Sequence, residues 1–317
     1  KDLPADEVNT KIQERFVPMA SPSSAPQTSQ DWAAMRDAWM KSLRERTFRG
    51  WPSDRDARPL DVDRVLSVEA DGVRLTAFEF TSQPHVRLRL FCLQSTQDAP
   101  NTSSVRMDIL DQAGWRQWLA AMRSRFEKDL SSYALPDANP AAFDSLRAAL
   151  EAGSGPMAFV CPRGIGPDAW SGDERKQIQI QRRFMLLGQT ADAMRVWDVR
   201  RAVQVLRHLN ATAEAAVTVT SQGDMAGIAL YASLFESGIG GLDLVDLPPT
   251  HAQGPTFLNV LRYLDVPQAV ALAAERHRVQ LHVETPGPWQ FPQAVAAGLG
   301  WNDRLHIDAC AETQASQ

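Results

Sequence analysis

The sequence predicts an α/β protein whose central sheet is mostly parallel, with helices on both faces and an antiparallel strand group at the N-terminal side. Three observations predict it. From Met157 onward, short apolar β-branched runs alternate with longer segments of helical period, which is the order that builds parallel βαβ units. Ahead of them, strand-like runs cluster around a hairpin turn, Ala70-Asp71-Gly72. In the middle, Ala215–Glu236 passes from a strand through a small-residue turn straight into a helix.

Taken in order, residues 1–30 read as a tether. Ser21–Gln30 is rich in Pro and Ser and has too little apolar surface to pack alone. Asp31–Thr47 is a helix, with Trp32, Met35, Trp39 and Leu43 on one stripe and breakers from Phe48 to Pro52. Arg64–Glu69, Val73–Thr81, Val86–Gln94 and Val105–Leu110 form the antiparallel group, followed by helices over Trp115–Leu130 and Asn139–Ala152. Met157–Cys161 is an apolar strand and Ala191–Leu209 a long helix carrying Met194, Val196, Trp197, Val203 and Leu206 inward. After the central strand come strand Leu242–Leu247, helix Val266–Ala274, strand Arg278–Glu284, helix Phe291–Leu299 and strand Arg304–Ile307. One domain over residues 31–308 is expected, with a disordered tail at 309–317.

Composition narrows the function. An apolar content of 44% and a charged content of 22% are those of an ordinary globular chain. A net charge of −5 and no basic run give no basis for a nucleic-acid partner. No stretch reaches the roughly 20 apolar residues of a membrane span, so no membrane is expected. Cys92, Cys161 and Cys310 show no metal-ligand or disulfide spacing, and Gly238–Leu242 follows a helix and so is no phosphate loop; no cofactor is implied. Asn101 and Asn210 open glycosylation sequons, which arise often by chance. The first residue is Lys1, read as the start of an excised piece of a longer product.

The central turn, Val219-Thr-Ser-Gln-Gly-Asp224, decides the chemistry. A strand that turns directly into a helix presents its apex residue over the carboxyl edge of a parallel sheet. Ser221 is the only serine in the turn. It is read in two ways: as a nucleophile, or as the cap of the following helix in the pattern Ser221-Gln-Gly-Asp224. Glycine at 223 meets the positive φ of an apex without steric cost.

This stretch resembles the nucleophile elbow of the α/β-hydrolases, in the acetyl-xylan-esterase-like and prolyl-oligopeptidase-like branch. Three further places carry the resemblance: Pro162-Arg-Gly-Ile-Gly166, Phe184–Thr190 with Met194–Asp198, and Leu261–Val270 with Ala274-Glu-Arg276. It runs over roughly Leu66 to Ile307. Laid on the family pattern without a gap, the nucleophile position falls on Gly223, and Asp224 follows it. The resemblance implies an oxyanion hole built from the amide after the apex and from the loop at Asp111 and Gln112, where Asp111 and Asp224 add unfavourable negative charge. It implies an acid after the penultimate strand, where the chain offers Glu284, and a histidine after the last strand, where it offers only His306 inside the strand.

Two functions are expected foremost, beside a third class, a sugar-binding module that uses edge tryptophans. The first is a catalytically degenerate hydrolase-fold domain that acts as a structural or substrate-positioning module, beside a tandem catalytic hydrolase domain or on a carbohydrate ester. The second is an active serine carboxylic-ester hydrolase with Ser221, Glu284 and His306 or His251. Gln222, His251 and Trp289 are expected to line the pocket; Trp170, Trp289 and Trp301 sit at expected loop or helix edges, where an exposed ring stacks on sugars, and most of them are read as core or packing residues. Relatives of this kind are often exported.

Overall fold

The computed structural model describes residues 4, 6–10, 12, 19–20, 24–53, 59–96, 103–153, 155–170, 173–209 and 212–309. Its strands are β1 (Asp63–Ala70), β2 (Val73–Gln83), β3 (Val86–Ser95), β4 (Ser104–Ile109), β5 (Met157–Val160), β6 (Ala216–Gln222), β7 (Ile239–Val245), β8 (Arg278–Val283) and β9 (Leu305–Ala309). They make one nine-stranded sheet in the order β1-β2-β3-β5-β4-β6-β7-β8-β9. The β1–β2, β2–β3 and β3–β5 pairs are antiparallel. All pairs from β5 across to β9 are parallel.

Eight α-helices accompany the sheet among the described residues: α1 (Ser29–Ser42), α2 (Gln112–Phe126), α3 (Pro140–Glu151), α4 (Glu174–Leu186), α5 (Ala191–His208), α6 (Gly223–Phe235), α7 (Val266–Ala274) and α8 (Gln290–Leu299). The grouping of Val105–Leu110 with the antiparallel strands is corrected. β4 lies between β5 and β6 and runs parallel to both, because α2 and α3 form a crossover that returns the chain in the same direction. About half of the tether expected at 1–30 and all but Ala309 of the tail expected at 309–317 lie outside the described residues, as do Cys310, Asn101 and Asn210. Within the former, Ala20 N donates to Leu261 O at 2.8 Å. Ala309 is the last residue of β9.

α6 sits at the centre because its sequence leaves it nowhere else to go. Every residue from Met225 to Leu234 is buried, so the helix is apolar all round and is enclosed by the sheet and its neighbouring helices. Each fully buried Leu or Ile of this kind contributes about 1.5–3 kcal/mol. α1 closes one end: Trp32 meets Trp39 and Trp301 edge-on at ring-centroid distances of 6.1 and 5.4 Å.

The two faces of the sheet are covered unequally. On one face of β6, Val217, Val219 and Ser221 are buried; on the other, Ala216, Thr218 and Gln222 are exposed. The same alternation exposes Arg278 on β8, and His306 and Asp308 on β9. On that second face α2 lies further along, its Trp118 packed on Phe91 of β3 and Phe159 of β5 at 4.7 and 5.8 Å. Among the described residues the strands β6–β9 therefore present an uncovered polar pleat, whereas parallel strands are ordinarily buried on both sides.

Candidate functional site

The strand-to-helix turn forms as the residues suggest, and its positive φ falls on Gly223, at +56°. Gln222 is the helix N-cap, in extended conformation, and its side chain makes no capping bond. A Cβ built on Gly223 meets nothing within 4 Å, so the apex faces open space. The capping role for Ser221 is corrected. β6 continues through Gln222, which puts Ser221 one residue too early to cap α6, and its Oγ is buried with no hydrogen-bond partner among the described residues.

Asp224 stands in the first turn of α6, and its carboxylate lies against the next loop: a Cβ on Gly254 would meet its Oδ1 at 2.2 Å. Desolvation holds the Asp224 carboxyl above its usual range, Asp192 adds to the rise, and Arg195 opposes it. Asp192 is itself held in place, accepting from Arg195 at 2.8 Å and from Thr256 N at 2.9 Å. Asp111 is the N-cap of α2 and accepts from Gly114 N at 2.6 Å. Gln112 Oε1 accepts from Gly166 N at 3.1 Å and so ties the loop after β4 to the loop after β5.

That second loop is anchored by a buried ion pair. Asp198 on α5 is fully buried and accepts from Arg163 N at 3.0 Å, Nε at 2.8 Å and Nη2 at 2.6 Å, and also from Ser82 Oγ. Trp197 Nε1 donates to Ser82 O at 2.9 Å. The loop Pro162–Gly166 and the helix segment Met194–Asp198, which carry the family resemblance, are thus joined to the end of β2. The segment Phe184–Leu186, which also carries the resemblance, belongs to the separate helix α4, and Gly188 with φ +73° divides it from α5.

The proposed triad members are not brought together. Ser221 is 6% exposed and shares a face with Val217 and Val219. His306 lies on the opposite face, since register connects it through Gln280 and Asp243 to Thr220, whereas Ser221 aligns through Leu244 and Leu281 with Ile307. Three strand spacings, roughly 14 Å, also separate β6 from β9. Glu284 is exposed beyond the end of β8, and its side chain has no hydrogen-bond or ion-pair partner among the described residues. His251 is buried, with its Nε2 2.7 Å from Tyr231 Oη and its Nδ1 2.8 Å from Pro255 O. Burial lowers its pKa, and the ring staples the loop after β7 onto α6.

Trp289 is a packing residue and not a platform for sugars: it is 1% exposed, with one side on a cavity of about 370 Å³ that Glu284 and Asp246 also line. Trp170 and Trp301 are half-buried, packed on Phe184 and Trp32 respectively. Gln222 lines a different cavity, of about 520 Å³, together with Asp111 and the neighbourhood of Ser221. Among the described residues no group of three or more His, Cys, Asp or Glu side chains could hold a metal ion. No helix there is long and apolar enough to cross a membrane. Sequence reasoning missed the Tyr231–His251 pair, the Ser82 contribution and the contact of His282 Nε2 with Asp243 Oδ1 at 2.9 Å. Each joins residues far apart in the chain, and no local pattern announces them.

The strand order, the direct entry of β6 into α6 and the crossover helices define the α/β-hydrolase fold. Solved structures with this fold resemble the chain. A Bacteroides fragilis protein carrying an acetyl-xylan-esterase assignment matches with a TM-score of 0.67 and 14% identity, over 93% of this chain and 80% of that one. Glucuronoyl esterase from Solibacter usitatus matches with a TM-score of 0.62 and 13% identity, over 91% and 87%. Acetyl xylan esterase 1 from a Thermoanaerobacterium species matches with a TM-score of 0.50 and 11% identity, over 97% and 90%. No family model matches the sequence. No curated protein matches it either.

Proposed function

We propose that this chain is a catalytically degenerate α/β-hydrolase-fold domain of the carbohydrate-esterase type, serving as a structural or substrate-positioning module beside a catalytic hydrolase unit. One observation carries the reading: the residue with apex geometry is Gly223, which has no nucleophilic atom. The surroundings agree with it. An esterase needs a base within hydrogen-bond reach of its nucleophile and an oxyanion site free of negative charge. Ser221 Oγ has no such base beside it, and the first helical turn after the apex bears the carboxylate of Asp224. The acetyl-xylan and glucuronoyl esterases of the same fold give carbohydrate esters as the class of ligand such a module would position.

The alternative, an esterase acting through Ser221, is tested by the same experiment. The full chain is treated with a fluorophosphonate that tags activated serines, and its intact mass is measured beside an active control esterase. No adduct is expected on this chain while the control is modified. A stoichiometric adduct mapped to Ser221 would reject the degenerate reading.

A further inference from the structure

A cavity of about 540 Å³ opens at the amino-terminal edge of the parallel strands, where β4 and β5 begin, on the sheet face that α5 packs against. It is remote from the central turn. Val105, which lines it, aligns with Val217 near the start of β6, and Gly223 follows the end of that strand, roughly 20 Å away at about 3.3 Å per residue. What the cavity holds therefore does not depend on whether the apex is catalytic.

Strand register builds the floor. Ser67, Thr76, Cys92 and Ala158 stand in one row across β1, β2, β3 and β5, and all four line the cavity. Phe78 lies two residues along β2 on the same face. The wall is the C-terminal end of α5, where Leu206 and Leu209 line the space with Val105. Phe78 and Leu209 are only half-buried, so apolar surface here is still open to water. A cavity of this size, with an apolar floor and a few polar groups, has the form of a small-molecule site.

The polar groups set what fits. Thr76 is 8% exposed, and its hydroxyl, which keeps some accessible surface, has no hydrogen-bond partner among the described residues. An idle hydroxyl so deeply placed is costly and marks the position of a missing partner. Glu69 and Arg74 at the rim neutralise one another, with Arg74 Nε and Nη2 both 2.7 Å from Glu69 Oε1. Arg64, opposite Phe78, has no hydrogen-bond or ion-pair partner among the described residues. The lining thus carries one uncompensated positive charge. A cation is repelled, a neutral group leaves the guanidinium unpaired, and a phosphate brings nearly two negative charges against one. A carboxylate matches both the charge and the parallel donors of the guanidinium fork.

We infer that this cavity binds a small monocarboxylate with an apolar body, the carboxylate accepting from Arg64 and the Thr76 hydroxyl and the body lying against Phe78, Val105 and Leu206. The acid supplies the acceptor that both donors lack. Its body removes water from Phe78 and the end of α5.

Three probes of matched shape test this on the full chain by calorimetry and amide chemical shifts: phenylbutyrate, phenylbutanol and phenylbutylamine. The acid is expected to bind saturably and about fivefold more tightly than the alcohol, with the amine weakest. Shifts should centre on Thr76, Cys92 and Gln94 and leave Gln222 and Gly223 unmoved. Arg64→Gln, at an exposed position that the fold tolerates, should remove the preference for acid over alcohol. Leu209→Trp, which fills the space from a half-buried position, should abolish binding of all three; Arg64→Gln decides the matter if this variant does not fold. Alcohol or amine binding as tight as the acid, a preference that survives Arg64→Gln, shifts confined to another surface, or undiminished acid binding in folded Leu209→Trp would each overturn the assignment, as would no saturable binding of the acid.

Discussion

Replacing Gly223 with serine puts a hydroxyl at the apex and asks whether the turn lacks only that atom. The structure sets the cost. The φ of +56° is a left-handed conformation, which an L side chain adopts at about 1–2 kcal/mol. Loss of glycine's freedom in the unfolded chain returns about 0.4–1 kcal/mol. No steric term enters, because the new Cβ meets nothing within 4 Å. The net expectation is a destabilisation of about 1 kcal/mol. With a urea dependence of about 3 kcal/mol/M, that is a fall of about 0.3 M in the unfolding midpoint. Gly227→Ala, one turn into α6, is the internal contrast. Its Cβ would stand 2.3 Å from Pro255 Cδ, an overlap that forces the loop after β7 away and costs about 2–3 kcal/mol. The second readout is chemical. Gly223→Ser should remain unlabelled by a fluorophosphonate, since His306 lies on the far face of the sheet and His251 is bonded to Tyr231 and Pro255. A cost for Gly223→Ser equal to that of Gly227→Ala would refute the geometric reasoning. Rapid stoichiometric labelling of the variant would refute the claim that no base serves the apex.

Arg163→Met leaves the Asp198 carboxylate buried without its guanidinium and should cost about 3–5 kcal/mol in urea unfolding, with part recovered in the Arg163→Met/Asp198→Leu double variant. Tyr231→Phe strips His251 Nε2 of its partner and should cost about 1–3 kcal/mol by the same assay. His251 and His277 both have pKa values lowered by burial, so the stability they contribute is present above the unfolded value of 6.5 and is lost as pH falls below it toward their folded values. Thermal midpoints should therefore drop between pH 7.5 and 5.5, and less steeply in His277→Gln; a flat profile would contradict this. The Cys92 thiol is pushed up to about 12 by burial, so it should resist a thiol-specific disulfide reagent at pH 8 in the native protein and react once unfolded.

Much of the fold can be read from periodicity, and the reasons are local. β5, β6 and β7 are short apolar runs, and the hairpin at Asp71-Gly72 needs the positive φ of both residues, +47° and +78°. α6 is legible because its residues are apolar on every side. α4 is not: it is amphipathic, but none of its residues is buried and Leu186 is 86% exposed, so it adds no run of core positions to the alternation that reveals the other helices. The direction of β4 escapes sequence reasoning because strand orientation depends on the crossover that follows, which leaves no mark in a six-residue run. At the site, the glycine at the apex and the acid after it are legible as residue types in a turn. The face on which Ser221 points is not, because it depends on where β6 ends relative to α6, and a shift of one residue reverses it. His251 reads as a loop residue for a related reason: its partner Tyr231 is twenty positions earlier and shows nothing in sequence but another apolar helix residue.

The junction of Ser82, Arg163 and Asp198 also bears on the order in which the molecule assembles. Its members are separated by 81 and 35 positions, with 116 between the ends. A chain emerging from the ribosome can pair β1, β2 and β3 early, since those contacts are local, but it cannot complete this junction until α5 has been synthesised. The N-terminal strands must then wait in a state where the end of β2 lacks its partner on α5, even though β5, made earlier, is already available to pair with β3. The junction thus acts as a late checkpoint: once it forms, the antiparallel strands, the loop after β5 and the helix leading to the central turn are committed to one register together.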